Sequence, residues 1–168
     1  KGALTLNRTE MKVKPNSAGT VEVKVSTRDS ASRTMIAELM ILYNRLVAEY
    51  CHANGLPASY RLQAPPRAEF PDSLPDGPLG WYIASTLLRG ATLSTIPGTH
   101  SSLGVEKYTQ ASSPIRRYTD LYLQRQLIHF IETGQRKYSE SEMTSVGGRG
   151  DLQVRELARI EAQRTRYW

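Results

Sequence analysis

Six of the nine prolines fall between residues 57 and 78. Proline fixes φ at about −65° and has no N–H to donate, so a stretch this rich in it cannot continue a helix or sit inside a sheet. This stretch is therefore expected to be an extended connector rather than regular structure. Upstream, Leu4, Leu6, Met11 and Val13 alternate with polar residues as far as Pro15-Asn16-Ser17-Ala18-Gly19, and Val21, Val23 and Val25 alternate again with Glu22 and Lys24. This period of two predicts a β-hairpin over residues 3–26. Met35, Ile36, Leu39, Met40, Tyr43, Leu46, Val47 and Tyr50 then recur at steps of one, three and four, a broad apolar stripe on a helix of about 25 residues. Asn54-Gly55-Leu56-Pro57 ends it, Gly supplying a left-handed cap and Pro preventing continuation.

Downstream of the connector a shorter helix is predicted from Pro78 to Arg89, ended by Gly90, followed by a turn-rich and then extended segment from Leu93 to Gln110. Ser112-Ser113-Pro114 has the form of a helix start, with a hydroxyl N-cap and Pro at the first helical position, and this helix should run to Thr133-Gly134. Ser139 and Glu142 have capping-box spacing for a short turn of helix. Gly147-Gly148-Arg149-Gly150 is expected to be a flexible joint, with Asp151 capping a last helix that runs to Trp168. No internal repeat or low-complexity block is present.

A chain of 168 residues with 39% apolar and 23% charged residues fits one globular domain that needs neither metal nor disulfide to hold a core. The single cysteine, Cys51, lies within the long helical pattern and is expected to be a buried, inert thiol. With no partner for a disulfide, it points to a reducing cytoplasmic setting. Twenty-two Lys and Arg against sixteen Asp and Glu leave a charge of +6. Residues 107–168 hold eleven of those cations against seven acids, so a polyanionic partner is expected to meet the C-terminal half. No apolar run approaches the roughly 18 residues of a membrane span, and no signal peptide is evident. Lys1-Gly2-Ala3-Leu4 lacks a Met and enters a strand pattern at once, as expected of the inside of a larger protein.

The sharpest feature is Ser112-Ser113-Pro114-Ile115-Arg116-Arg117-Tyr118-Thr119-Asp120, which places two arginines in the first turn of a predicted helix. The helix dipole makes that end positive, so cations there cost a few tenths of a kcal/mol each unless something negative sits in front of them. Free backbone N–H groups, two serine hydroxyls and two guanidiniums converging on one point form a phosphate site, since the planar fork of Arg matches phosphate oxygens. The competing arrangement has Asp120 paired with both arginines within the helix.

Tyr108 followed by Ser-Ser-Pro-Ile-Arg-Arg-Tyr-Thr-Asp-Leu, with Arg125 further along, closely resembles the signature of the RNase II (RNB) family of exoribonucleases. The resemblance continues through Gly2-Ala3-Leu4, the run Ile36 to Asn44, Leu56-Pro57, Tyr60-Arg61 before Pro65, His100 and Leu103-Gly104, and so covers essentially residues 1–168 as the later part of the family's catalytic domain. Two positions depart from the family pattern: Gln124 stands where a histidine usually precedes Arg125, and Ala111 stands where an aromatic residue is common. The resemblance implies an α+β fold, a helix-rich portion of an RNB-type catalytic domain with a β-hairpin joined to a mixed sheet and packed against several helices. It implies hydrolysis of single-stranded RNA from the 3′ end to nucleoside 5′-monophosphates by a monomer. It also implies Mg²⁺ or Mn²⁺ held by an aspartate cluster upstream of Lys1, with the OB-fold RNA-binding domains likewise outside this stretch, so that no metal ligand is expected within it. By family position Arg116 would contact the scissile phosphate as a catalytic residue. Tyr108, Ser112, Ser113, Arg117 and Arg125 would contact RNA, as would Glu38 and Asn44 on the long helix, with Glu38 fitted to accept a hydrogen bond from a ribose 2′-hydroxyl.

Other candidates are weaker. Glu69, Asp72 and Asp76 sit in the connector with no strand to fix them as metal ligands. His100 is expected to be structural, and His52 and His129 have no acid and nucleophile to complete a triad. Arg155, Arg159 and Arg166 alternate with acids as a solvated face does, with Arg159 and Arg166 kept as possible RNA backbone contacts. Two readings stand beside the exoribonuclease: a non-catalytic RNA-binding relative without the metal site, and a helical interaction module whose basic balance is incidental.

Overall fold

The computed structural model describes residues 9–15, 20–27, 30–71, 73–75 and 77–167. The expected strand residues 3–8, the turn at 16–19, Asp72, Asp76 and Trp168 lie outside the described residues. The fold is α+β and rich in helix. Its elements run β1 (Thr9–Pro15), β2 (Val21–Thr27), α1 (Ala31–Ala53), β3 (Tyr60–Leu62), α2 (Pro78–Leu87), β4 (Thr92–Ser94), a single 3₁₀ turn at Ser101–Leu103, α3 (Tyr118–Thr133) and α4 (Glu140–Tyr167).

The alternating segment forms the predicted hairpin, antiparallel with Met11 opposite Val25 and Val13 opposite Val23, and among the described residues β1 and β2 pair only with each other. Helix α1 starts at Ser30, whose hydroxyl accepts the Arg33 N–H at 3.4 Å. It ends as predicted: Gly55 takes φ +60°, its N–H reaches the His52 carbonyl and that of Leu56 the Cys51 carbonyl. These two bonds satisfy carbonyls that the last turn leaves without partners.

Three expectations are corrected. The connector contains a strand, because β3 pairs antiparallel with β4 through Tyr60–Ser94, Arg61–Leu93 and Leu62–Thr92. Further bridges join Tyr60 to Thr109 (antiparallel) and Gln63 to His100 (parallel), so the pairing around β3 is mixed. The seven residues between Pro57 and Pro65 are enough for a short strand once later segments supply its partners. The apolar stripe of α1 does not face the core along its length: Met35, Ile36, Leu39 and Leu46 are each at least half exposed, whereas Val47, Ala48 and Cys51 are buried. Among the described residues it is the C-terminal half of α1 that is buried, where Val47, Ala48 and Cys51 join Tyr60 of β3, Leu123 of α3 and Met143 of α4 in one cluster.

The third correction concerns the glycines. Gly147-Gly148-Arg149-Gly150 is not a joint, and α4 runs unbroken through it and through Asp151. The capping box predicted for a short turn begins this 28-residue helix instead, with Ser139 N–H on Glu142 Oε2 at 2.8 Å and Glu142 N–H on Ser139 Oγ at 3.3 Å. A Cβ on Gly147 would lie 3.2 Å from Ser59 Oγ, and one on Gly150 would lie 3.0 Å from Thr119 Cγ2. The missing side chains let α4 approach the residues before β3 and the start of α3, which offsets the roughly 1 kcal/mol that a helical glycine costs. The core lies where these elements meet, built from Val47, Ala48, Cys51, Leu56, Ala58, Tyr60, Ala111, Leu123, Leu127 and Met143. Burial pushes the Cys51 thiol and the Tyr60 phenol each up to about 12, so both stay neutral.

Candidate nucleic-acid interface

The segment joining the β3–β4 layer to α3 carries the arginines, and its backbone path differs from the predicted one. Helix α3 begins at Tyr118, with Arg117 at the N-cap position and no side-chain cap. Ser113 to Arg117 form a separate turn before it, in which the N–H groups of Arg116 and Arg117 both reach the Ser113 carbonyl, at 3.2 and 3.0 Å. The expected Ser N-cap and Pro first turn are therefore corrected, and the reason is Asp120. Its fully buried carboxylate accepts the Ser113 N–H at 2.9 Å and the Arg117 Nε–H at 2.9 and 3.0 Å. An ion pair from Arg117 Nη2 at 2.8 Å and a hydrogen bond from Thr119 Oγ1 at 3.4 Å add to its shell. One carboxylate thus organises the turn and neutralises one arginine.

Arg116 has a different environment. It is exposed, has no ion-pair partner among the described residues, and its guanidinium donates to Ser113 Oγ at 3.4 Å. Arg116 and Arg117 line a cleft of about 480 Å³ together with Arg61, Gln110, Tyr118 and Thr119, with α4 contributing Gly150 and Leu157. Arg61 Nη1 donates to Gln110 Oε1 at 3.3 Å. The sequence pattern did not single out Arg61 as a site residue, because its place opposite Arg116 depends on β3 pairing. Three arginines line one concavity and Asp120 neutralises only Arg117 among them, which favours an anion there.

Asn44 is 2% exposed. Its Oδ1 accepts the Ala111 N–H at 2.9 Å, while Nδ2 donates to the Tyr108 hydroxyl at 3.1 Å and to Ser112 Oγ at 3.4 Å. Gln124 Nε2 donates to the Ala111 carbonyl at 2.6 Å. Asn44, Tyr108 and Ser112 are thus brought together, with Asn44 and Tyr108 both buried. Glu38 lies exposed on α1. Arg125 is exposed and lines a separate shallow depression with Ile128, His129, Glu132 and Lys137.

His100 is 8% exposed, stands edge-on to the Tyr108 ring at 5.3 Å, and its Nδ1 has no hydrogen-bond partner among the described residues. Burial, with the Arg61 charge adding to it, holds its imidazole below the ordinary value. It is a neutral packing element at neutral pH. Buried amides recur: Gln63 accepts the Ser102 N–H and donates to the Arg89 carbonyl at 2.7 Å. Gln126 accepts the Lys137 and Tyr138 N–H groups at 2.9 and 2.8 Å. No sequence signal separates such a glutamine from a solvated one.

Among the described residues no three His, Cys, Asp or Glu side chains converge as metal ligands would. Glu69 is exposed, and Asp120 is already engaged. The described residues do not fit a divalent-metal centre.

The RNB domain family matches residues 1–77 and 79–133. The chain belongs to the RNB family. It is similar to an uncharacterised ribonuclease of Synechocystis sp., 31% identical over 99% of this chain and 25% of that protein. It is also similar to the chloroplastic/mitochondrial ribonuclease II of Arabidopsis thaliana, 27% identical over 88% of this chain and 19% of the relative. Among solved structures, the Dss1 exoribonuclease of Candida glabrata matches 84% of the chain and 20% of its own length, with a TM-score of 0.67 and 19% identity. Mycoplasma genitalium RNase R in complex with ribose-methylated single-stranded RNA matches 89% of this chain and 28% of that one, with a TM-score of 0.62 and 21% identity. This RNB chain spans about a quarter or less of the relatives named from sequence. The departures Ala111 and Gln124 from the RNB pattern meet in the fold, joined by the 2.6 Å hydrogen bond.

Proposed function

We propose that the protein containing this chain is a hydrolytic 3′ to 5′ exoribonuclease that degrades single-stranded RNA to nucleoside 5′-monophosphates, and that this stretch supplies the arginine wall of the RNA channel. The observation that carries the reading is an exposed Arg116 without an ion-pair partner among the described residues, set in a cleft with Arg61 and Arg117 in a chain of the RNB family.

Phosphodiester hydrolysis puts negative charge on the phosphoryl oxygens, and a preorganised donor that meets this charge as it develops lowers the barrier. In this reading Arg116 contacts the scissile phosphate. Arg117, pinned by Asp120, offers a neighbouring phosphate the guanidinium edge that the carboxylate leaves open. Ser112 and Ser113 line the same path, Glu38 accepts from a ribose 2′-hydroxyl, and Arg125 meets the backbone elsewhere. Mg²⁺ or Mn²⁺ would be held by carboxylates outside the described residues. The protein acts as a cytoplasmic monomer. Among the described residues no helix is long and apolar enough to cross a membrane.

The test is single-turnover degradation of a 5′-labelled oligoribonucleotide by the natural protein, with its deoxy counterpart as control. Mononucleotide release from the 3′ end is expected only with divalent metal. Arg116→Ala should slow it by a factor on the order of 10² to 10³ with much less change in RNA affinity. Salt-sensitive binding with no mononucleotides would instead identify a non-catalytic RNA-binding relative.

A further inference from the structure

Asn44 and Gln124 meet on the backbone of one residue, Ala111. Asn44 comes from α1 and takes the Ala111 N–H at 2.9 Å, while Gln124 comes from α3 and gives its amide hydrogen to the Ala111 carbonyl at 2.6 Å. Ala111 is itself fully buried, so neither backbone group can turn to water for a substitute partner, and leaving either one unpaired is costly. The next residue is Ser112, whose Oγ accepts from Asn44 Nδ2 and from Arg117 Nη2, each at 3.4 Å. The following residue, Ser113, has its N–H on Asp120.

Three successive residues are thus held by side chains from outside the turn, and the turn they lead into carries Arg116. Each polar atom of the Asn44 side chain has a protein partner, and the residue is 2% exposed. Its chemistry is directed at the loop and not at a ligand. We propose that Asn44 and Gln124 are positioning residues: by clamping both polar groups of Ala111 they set the path of residues 112–117, and they act on RNA cleavage only through the placement of Arg116.

A clamp of this kind leaves a distinct kinetic trace. A transition-state donor displaced by a fraction of an ångström loses rate far more than it loses ground-state affinity. The kinetic arm rests on the exoribonuclease reading, whereas a second arm, amide hydrogen exchange, does not. Gln124→Met keeps the volume of the half-buried side chain and removes the donor. Asn44→Ala removes the acceptor and both donors.

In the natural protein both variants should lower the single-turnover rate on an oligoribonucleotide about tenfold with KM changed less than twofold. Amide exchange over residues 111–117 should quicken at least tenfold, with α2 and the β3–β4 pair unchanged. A rise in KM at constant rate, with exchange undisturbed, would make Asn44 a direct RNA contact and overturn the proposal. So would unchanged rate and unchanged exchange in Gln124→Met, the variant less able to disturb folding. Should the unmodified protein release no mononucleotides, the exoribonuclease reading falls. Faster exchange over 111–117 would then still support the clamp, and unchanged exchange would reject it.

Discussion

Helices α3 and α4 start with the same spacing and to different ends. Each has an acid three residues after the position that precedes the helix, Asp120 after Arg117 and Glu142 after Ser139. In α4 the acid bonds the N–H of that preceding residue, whose hydroxyl returns the contact. The start is closed on itself and exposed to solvent. In α3 the acid is fully buried and reaches past the N-cap to the Ser113 N–H while gripping the Arg117 guanidinium. An exposed start signal and a buried fastener can therefore share one spacing. What separates them is whether the residue before the helix offers a hydroxyl to cap with or a cation to pair.

The largest expected effect is at the buried acid. Asp120→Ala leaves Arg117 and the Ser113 N–H without their partner, and unfolding by denaturant should show a loss of about 3 kcal/mol, the lower end for a broken buried pair. That end applies because the Arg117 side chain keeps 22% exposure. A loss no greater than that of Glu142→Ala would erase the distinction between the two starts.

A smaller effect tests the glycines of α4. Gly148 has nothing within 4 Å of an added Cβ, so Gly148→Ala should stabilise the protein by about 0.5–1 kcal/mol. Gly150→Ala, crowded at 3.0 Å by Thr119 of α3, should show no such gain. Equal gains at both positions would mean that α4 does not press on the start of α3. Thermal unfolding of the two variants side by side is sufficient to decide.

The smallest effect is the exposed cap. Hydrogen bonds from the Ser139 backbone and hydroxyl hold the Glu142 carboxyl below its ordinary 4.5. The folded value is thus the lower one. The cap's contribution is complete above pH 4.5 and fades as pH falls through the depressed value. Glu142→Gln should remove that acid-side dependence, seen as a smaller pH effect on amide exchange at Ser139 and the first turn of α4. An unaltered pH profile would show that the box contributes nothing.

Much of the local structure was legible in the residues. The hairpin followed from alternation, the end of α1 from Asn54-Gly55-Leu56-Pro57, and the start of α4 from Ser139 and Glu142, because each depends on neighbours within a few positions. The segment of Ser112 to Asp120 was legible as a functional stretch but not in its shape. Its Ser-Ser-Pro motif reads as a helix start until a buried carboxylate seven residues on takes the Ser113 N–H. Arg61 and Gln124 carried no local mark of their place. Asn44 was marked out by family position as an RNA contact, and in the fold its amide bonds Ala111, Ser112 and Tyr108.

The sequence by itself determined the α+β character, the positions of most helices, the basic balance of the C-terminal half and membership of the RNB family. All of these are properties of composition, periodicity or contiguous motif. Tertiary structure alone decided that the Gly147–Gly150 segment is the inside of a helix and that Arg61 joins Arg116 and Arg117 at one cleft. The physical reason is common to these cases. A glycine, an arginine or an amide is chemically the same in a loop, in a core or on a surface, and its role is set by whichever group from a distant part of the chain arrives within about 3 Å of it.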